Sequence, residues 1–136
     1  MVRLELDVQV AMRDGTKLST DIWIPDDAPA PVLLVRTPYG KHTVPVLGHP
    51  LLPSFFAALE AGYALVWQDC RGTFGSSGIF TPMVDEPSDG TDAVEWIREQ
   101  PWCNGTVGTF GPSYLGFTQW ATASQRPPGS TPWCRW

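Results

Sequence analysis

The sequence predicts an α/β fold in which an antiparallel edge hairpin is followed by a mainly parallel sheet with flanking helices. Three observations predict it. Val2 to Val10 and Leu18 to Ile24 alternate apolar and polar residues on either side of a tight turn, a period of two that belongs to half-buried strands. Val32-Leu33-Leu34-Val35 and Tyr63-Ala64-Leu65-Val66-Trp67 are apolar at every position, as befits strands covered by helices on both faces. Beyond them, strand-like and helix-like segments alternate along the chain, the order that builds right-handed crossovers and a parallel sheet.

Each element has its own local reason. In the first strand Val2, Leu4, Leu6, Val8 and Val10 share one face. Arg13-Asp14-Gly15-Thr16 then turns the chain, with Gly15 free to take a positive φ, and Leu18, Thr20, Ile22 and Ile24 mark the returning strand. A proline-rich loop from Pro25 to Pro31 leads into the first buried strand, and a long loop, Thr37 to Pro50, leaves it. Pro53 to Ala61 reads as a short helix stopped by Gly62. The second buried strand ends at Asp69, and the Gly- and Ser-rich segment Cys70 to Thr81 is a loop. A second helix begins near Asp85 to Asp89 and runs to Gln100, with Asp85, Glu86, Asp89 and Asp92 at the positive end of its dipole and Pro101 closing it. Val107 to Phe110 is a third short strand, followed by a sharp turn and a helix to Ala123.

Composition narrows the function. A chain of 136 residues suits one domain. Its 13 Gly and 14 Pro are dispersed, and seven Trp, six Phe and three Tyr supply a core, so neither collagen nor a disordered protein fits. The net charge is −5, and the nine Lys and Arg form no basic stripe, which excludes phosphate neutralisation and with it a nucleic-acid partner. The N-terminal residues alternate charge with apolar groups, and no apolar run approaches the roughly 20 residues that span a bilayer. The sequence thus predicts a soluble cytoplasmic protein with no membrane partner. Three cysteines, Cys70, Cys103 and Cys134, lack CxxC spacing, which fits a reducing compartment and neither a disulfide framework nor a zinc site.

The chemistry concentrates at Gly111-Pro112-Ser113-Tyr114-Leu115-Gly116. A serine between a strand and a helix, flanked by glycines, stands where the nucleophile elbow of an α/β-hydrolase presents its attacking oxygen beside the helix N-terminal amides. The strict G-x-S-x-G pattern is not met, because Leu115 holds the last glycine position. A Gly-Pro-Ser turn also serves as a helix N-cap. Asp69 reads as a turn-fixing group in front of Arg71-Gly72, and Asp85, Asp89, Asp92 and Glu95 as helix acids facing water, since no His or Cys joins them at ligand spacing. No metal ion or cofactor is expected.

Several motifs stand in one order: Met12-Arg13-Asp14-Gly15-Thr16, Arg36-Thr37-Pro38-Tyr39-Gly40-Lys41, Gln68-Asp69-Cys70-Arg71-Gly72 with Gly75-Ser76-Ser77-Gly78, and Gln100-Pro101-Trp102-Cys103-Asn104-Gly105 leading into the serine turn. Together, over residues 4 to 129, they resemble the Xaa-Pro dipeptidyl-peptidase family in its cocaine-esterase and α-amino-acid ester hydrolase branch, whose elbow reads G-x-S-Y-x-G. The resemblance implies the N-terminal part of an α/β-hydrolase fold and a serine hydrolase acting on a small-molecule ester or amide, whether acyl or Xaa-Pro dipeptidyl. It implies that Ser113 is the nucleophile, that the Tyr114 backbone N–H forms half of the oxyanion hole, and that the Tyr39 hydroxyl forms the other half. Without the family match, Tyr39 would read as a loop aromatic packed against the sheet.

A serine needs a histidine to take its proton and a carboxylate to orient that histidine, and in α/β-hydrolases both follow the serine in the chain. After Ser113 this sequence has no Asp, Glu or His; His42 and His49 both precede it. Ser130-Thr131-Pro132-Trp133-Cys134-Arg135-Trp136 shows no strand pattern. The sequence therefore predicts residues 1–129 as the N-terminal part of a catalytic domain and 130–136 as an atypical tail. A truncated chain of this kind is expected to be inactive alone; the other reading is a non-catalytic α/β module that has lost its base.

Overall fold

The computed structural model of the chain describes residues 1–43 and 55–127. Within them eight elements follow in order: strands β1 (Arg3–Ala11), β2 (Lys17–Ile24) and β3 (Ala30–Thr37), helix α1 (Phe55–Glu60), strand β4 (Ala64–Asp69), helix α2 (Glu86–Arg98), strand β5 (Cys103–Thr109) and helix α3 (Tyr114–Ser124). They form one five-stranded mixed sheet in the order β1-β2-β4-β3-β5. The pairs β1/β2 and β2/β4 are antiparallel, and β3 runs parallel to both β4 and β5. The α/β fold with an antiparallel hairpin at one edge is as the sequence predicts.

The hairpin departs from its expected alternation at one place. Between Glu5 and Val8 the β1/β2 register slips, and Asp7 sits there with φ 53. A bulge adds one residue to one strand, so every side chain beyond it changes face. Leu4 lies opposite Trp23, and Leu4 and Leu6 stay about half exposed, whereas Val8 pairs with Thr20 and Val10 is buried. The single apolar face expected for Val2 to Val10 is thus split in two.

The central strands bury both faces. Val32, Leu34, Ala64 and Val66 pack with Ala93, Val94 and Ile97 of α2, while Leu33, Val35, Leu65 and Trp67 pack with Ala58 and Leu59 of α1. In α2 the buried positions Glu86, Gly90, Ala93, Val94 and Ile97 recur at helical spacing along one stripe. Helix α3 packs beside α2 at a close crossing, where a Cβ on Gly90 would fall 1.8 Å from Thr122 Oγ1. Residues 53 and 54 of the expected first helix, and most of the loop after Thr37, lie outside the described residues. Strand β5 starts four residues earlier than its apolar core suggests, with Cys103 joining the edge beside Ala30. No helix among the described residues is long and apolar enough to cross a membrane.

The loops leaving β3 and β5, adjacent parallel strands, lead to α1 on one face and to α3 beside α2 on the other. Such a reversal opens a crevice at the carboxyl ends of the strands, where open α/β sheets place their ligands.

Candidate active site

Ser113 stands at that end of the sheet, between β5 and α3. It occupies the N-cap position of α3 with φ 59 and ψ −128, yet its side chain makes no cap hydrogen bond. A non-glycine residue held in such a backbone conformation costs on the order of 1–3 kcal/mol. The hydroxyl, released from capping, is exposed and lies 3.4 Å from the Tyr39 hydroxyl. Gly111 is required by space as well as by its φ of 123, because a Cβ there would come 2.7 Å from Leu115 Cβ. Gly116 is less constrained than the sequence suggests: a Cβ would meet the Gly111 carbonyl oxygen at 3.5 Å, an ordinary contact. Leu115, in the place of the usual second glycine, is buried against Val35, Leu65 and Trp67 and anchors the turn to the sheet.

Tyr39 reaches Ser113 from the end of β3. Its N–H donates to Thr37 Oγ1 at 3.0 Å, and its ring is half exposed rather than packed on the sheet. The loop carrying it is fastened by the next residues. The Lys41 N–H donates to Asp69 Oδ1 at 2.7 Å, and the Lys41 ammonium, almost fully buried, pairs with Asp7 at 2.6 Å and Asp21 at 3.0 Å. Burial works against the Lys41 charge, but the hydrogen bonds to Asp7 and Asp21 outweigh it and hold its pKa above the ordinary value. These contacts explain the bulge at Asp7, which turns its carboxylate toward Lys41. Asp69 also receives the Gly75 N–H at 3.3 Å, and burial raises its pKa despite both amides. Its role in the geometry is to tie two loops together.

Tyr114, next to Ser113, is the first residue of α3, so its backbone N–H has no acceptor within the helix. Its side chain points into a packed and polar environment. The phenol oxygen accepts the Met83 N–H at 3.1 Å and donates to Glu86 Oε1 at 3.3 Å. The ring lies against Phe80 and Phe117, with centroids 6.1 and 5.6 Å away. Burial pushes the phenol pKa up to about 12.

Of the four acids expected to face water, Glu95 is exposed and Asp85 half-buried, but Asp89 and Asp92 turn inward. Glu86 and Asp89 are buried, and Asp92 is nearly so. Glu86 pairs with the buried Arg36 of β3, Asp89 takes both Nε and Nη2 of Arg71, and Asp92 binds Arg13. Arg71 also reaches Asp14 at 2.6 Å and Thr16 Oγ1 at 2.7 Å. Two of the sequence motifs and the start of α2 therefore meet around one guanidinium. The sequence could not place these acids because their cations lie far away along the chain. Among the described residues no group of His, Cys, Asp and Glu could hold a metal ion.

His42 has its ring nitrogens beside Lys41 Nζ at 3.0 Å and Asp21 at 3.5 Å, in the cluster that fastens the Tyr39 loop. His49 and Cys134 lie outside the described residues. Cys70 and Cys103 are free thiols, and burial raises the pKa of both.

The sequence and the fold have counterparts among known proteins. The family model for X-Pro dipeptidyl-peptidase (S15 family) matches residues 14–131. Cocaine esterase of Rhodococcus sp. (strain MB1 Bresler) is 49% identical over 118 residues, covering 86% of this chain and 20% of that protein. Among solved structures, a CocE/NonD family hydrolase from Staphylococcus aureus superposes with a TM-score of 0.79 at 34% identity, covering 93% of this chain and 26% of the other. An α-amino acid ester hydrolase superposes with a TM-score of 0.79 at 31% identity, over 94% of this chain and 24% of the other. The chain spans about a fifth of the length of the curated relatives it matches. A match over most of the chain, with the same sheet beneath it, means that this protein belongs to the X-Pro dipeptidyl-peptidase family of hydrolases.

Proposed function

We propose that this chain forms the nucleophile-bearing part of a serine hydrolase acting on small-molecule esters or amides. The carrying observation is Ser113 itself, strained at φ 59, uncapped, exposed, and 3.4 Å from the Tyr39 hydroxyl. In this reading Ser113 Oγ forms a bond to the substrate carbonyl carbon and loses its proton to a base. The carbonyl π electrons move onto oxygen, and the Tyr39 O–H and the Tyr114 N–H donate to that oxyanion, each worth about 3 kcal/mol in a water-poor site. The protonated base then delivers its proton to the leaving alcohol or amine as the carbonyl re-forms, and water releases the acyl group by the same sequence. Among the described residues no histidine or carboxylate hydrogen-bonds to Ser113, so in this reading the base and its orienting carboxylate are supplied by residues other than these. The printed names of the relatives, cocaine esterase and α-amino acid ester hydrolase, favour esters as first substrates.

The test is a hybrid in which residues 1–127 replace the matching segment of Rhodococcus cocaine esterase, assayed with a nitrophenyl ester. Turnover is expected, with Ser113→Ala abolishing it and Tyr39→Phe lowering kcat by about 10²- to 10³-fold. Undiminished turnover by the Ser113→Ala hybrid would remove Ser113 from the nucleophile's place. A second reading, a module without catalysis, is favoured by the absence of Asp, Glu and His after Ser113. The purified 136-residue chain is expected to show no turnover in the same assay; turnover lost on Ser113→Ala would instead require a base within it, with His42 the first to mutate.

A further inference from the structure

We infer that Glu86 is a positioning residue for the oxyanion hole: it holds the Tyr114 phenol and thereby fixes the direction of the Tyr114 backbone N–H beside Ser113. The inference rests on the serine-hydrolase reading and adds to it a residue more than twenty positions upstream of the serine. Its basis is a continuous polar chain beneath the elbow. Arg36 Nε donates to Gln68 Oε1 at 2.9 Å, and Arg36 Nη1 donates to Glu86 Oε2. Glu86 Oε1 receives the Tyr114 hydroxyl at 3.3 Å, and that hydroxyl accepts the Met83 N–H at 3.1 Å. Gln68 Nε2 extends the chain to Thr20 Oγ1 at 3.1 Å. Arg36, Glu86, Gln68 and Thr20 are all buried in the sheet and at the start of α2.

Each link has a physical consequence for the elbow. The phenol is held by one donated and one accepted hydrogen bond while Phe80 and Phe117 pack against its ring, which leaves it a single orientation. The side chain begins at the Cα that carries the oxyanion N–H, one residue from the strained Ser113, so a fixed ring limits rotation of the peptide on which that N–H sits. Arg36 Nη1 engages Glu86 Oε2, which fixes the carboxylate and leaves Oε1 to accept from the phenol. The Met83 link has its own cost, since Met83 is held at φ 68, and the loop bears it where it meets the phenol. A packing role alone would be served by the ring without its hydroxyl.

The experiment uses the hybrid above with Tyr114→Phe and Glu86→Gln. Positioning predicts that both lower kcat by about 10- to 100-fold while KM stays within a factor of about 2. A phenylboronic acid, whose tetrahedral adduct with the serine places an oxygen in the oxyanion hole, should lose affinity by the same factor as kcat. Glu86→Asp, which keeps the charge on a shorter arm, should recover part of the loss. Unchanged kcat and boronate affinity in Tyr114→Phe, with Ser113→Ala inactive, overturns the positioning role and leaves the hydrolase reading standing. Turnover that survives Ser113→Ala overturns the hydrolase reading itself. Should Glu86→Gln fail to fold, Tyr114→Phe carries the decision alone, because it keeps the ring and removes only the hydroxyl.

Discussion

At the scale of single residues, the site rests on strain that the sequence signals only by composition. Glycine near a serine was legible, but which glycine matters was not: Gly111 is locked by Leu115 and Gly116 is not. The difference arises because Leu115 dives into the sheet, a contact set by Val35, Leu65 and Trp67 from two other strands. Ser113 shows the same separation of function from stability. Its φ of 59 is easily adopted by glycine, so Ser113→Gly is expected to raise stability by about 1 kcal/mol while removing the proposed nucleophile. Chemical denaturation beside the hybrid activity assay checks both halves. Lower stability in that variant would mean that the hydroxyl contributes more to the fold than its strained backbone takes away. Tyr39 was legible only by family resemblance, since an aromatic in a loop carries no spacing that separates packing from catalysis.

At the scale of elements, the strands were legible by their periods, and the departures have one cause, partners distant in sequence. The alternation of β1 does not reveal its bulge, because Asp7 is turned by Lys41, Ser19 and Asp21. Glu86, Asp89 and Asp92 sit toward the positive end of α2 as their positions suggest, yet they turn inward because Arg13, Arg36 and Arg71 come from three other segments. The α2/α3 crossing is set by one missing side chain. Gly90→Ala improves helix propensity by about 1 kcal/mol, but its Cβ would stand 1.8 Å from Thr122 Oγ1 and 2.9 Å from Thr122 Cβ. Thr122 cannot swing away freely, since its hydroxyl donates to the Thr118 carbonyl at 2.8 Å. The substitution is therefore expected to destabilise by about 1–3 kcal/mol, and Thr122→Ala in the same chain to return part of that. A double variant no better than Gly90→Ala, by denaturant midpoint, would place the conflict elsewhere.

At the scale of the whole molecule, the charge pairs that join loops to α2 set the response to acid. Asp14 has its pKa lowered by its hydrogen bonds to Arg71 and to the Thr16 N–H, and Asp7 by its hydrogen bond to Lys41. A carboxylate whose folded pKa lies below its unfolded value contributes stability that is complete above the unfolded value and is lost as pH falls toward the folded one. Through Asp7 and Asp14 stability should fall below about pH 4, where unfolded Asp takes up protons, while Asp69, whose pKa burial raises, works in the opposite sense. Thermal melts across that range test this, and Asp14→Asn should flatten the acid limb; an unaltered limb would assign acid sensitivity to other groups. The polar chain from Thr20 to Tyr114 carries a consequence for the order of events during synthesis. Among the described residues, every group that holds the serine turn either precedes it or lies in the helix that follows at once, so a chain emerging N-terminus first can assemble Ser113 and the two donors proposed for its oxyanion. On the proposed reading, what it has then made is a strained, uncapped serine with its hydroxyl already aimed at Tyr39 before any base stands beside it.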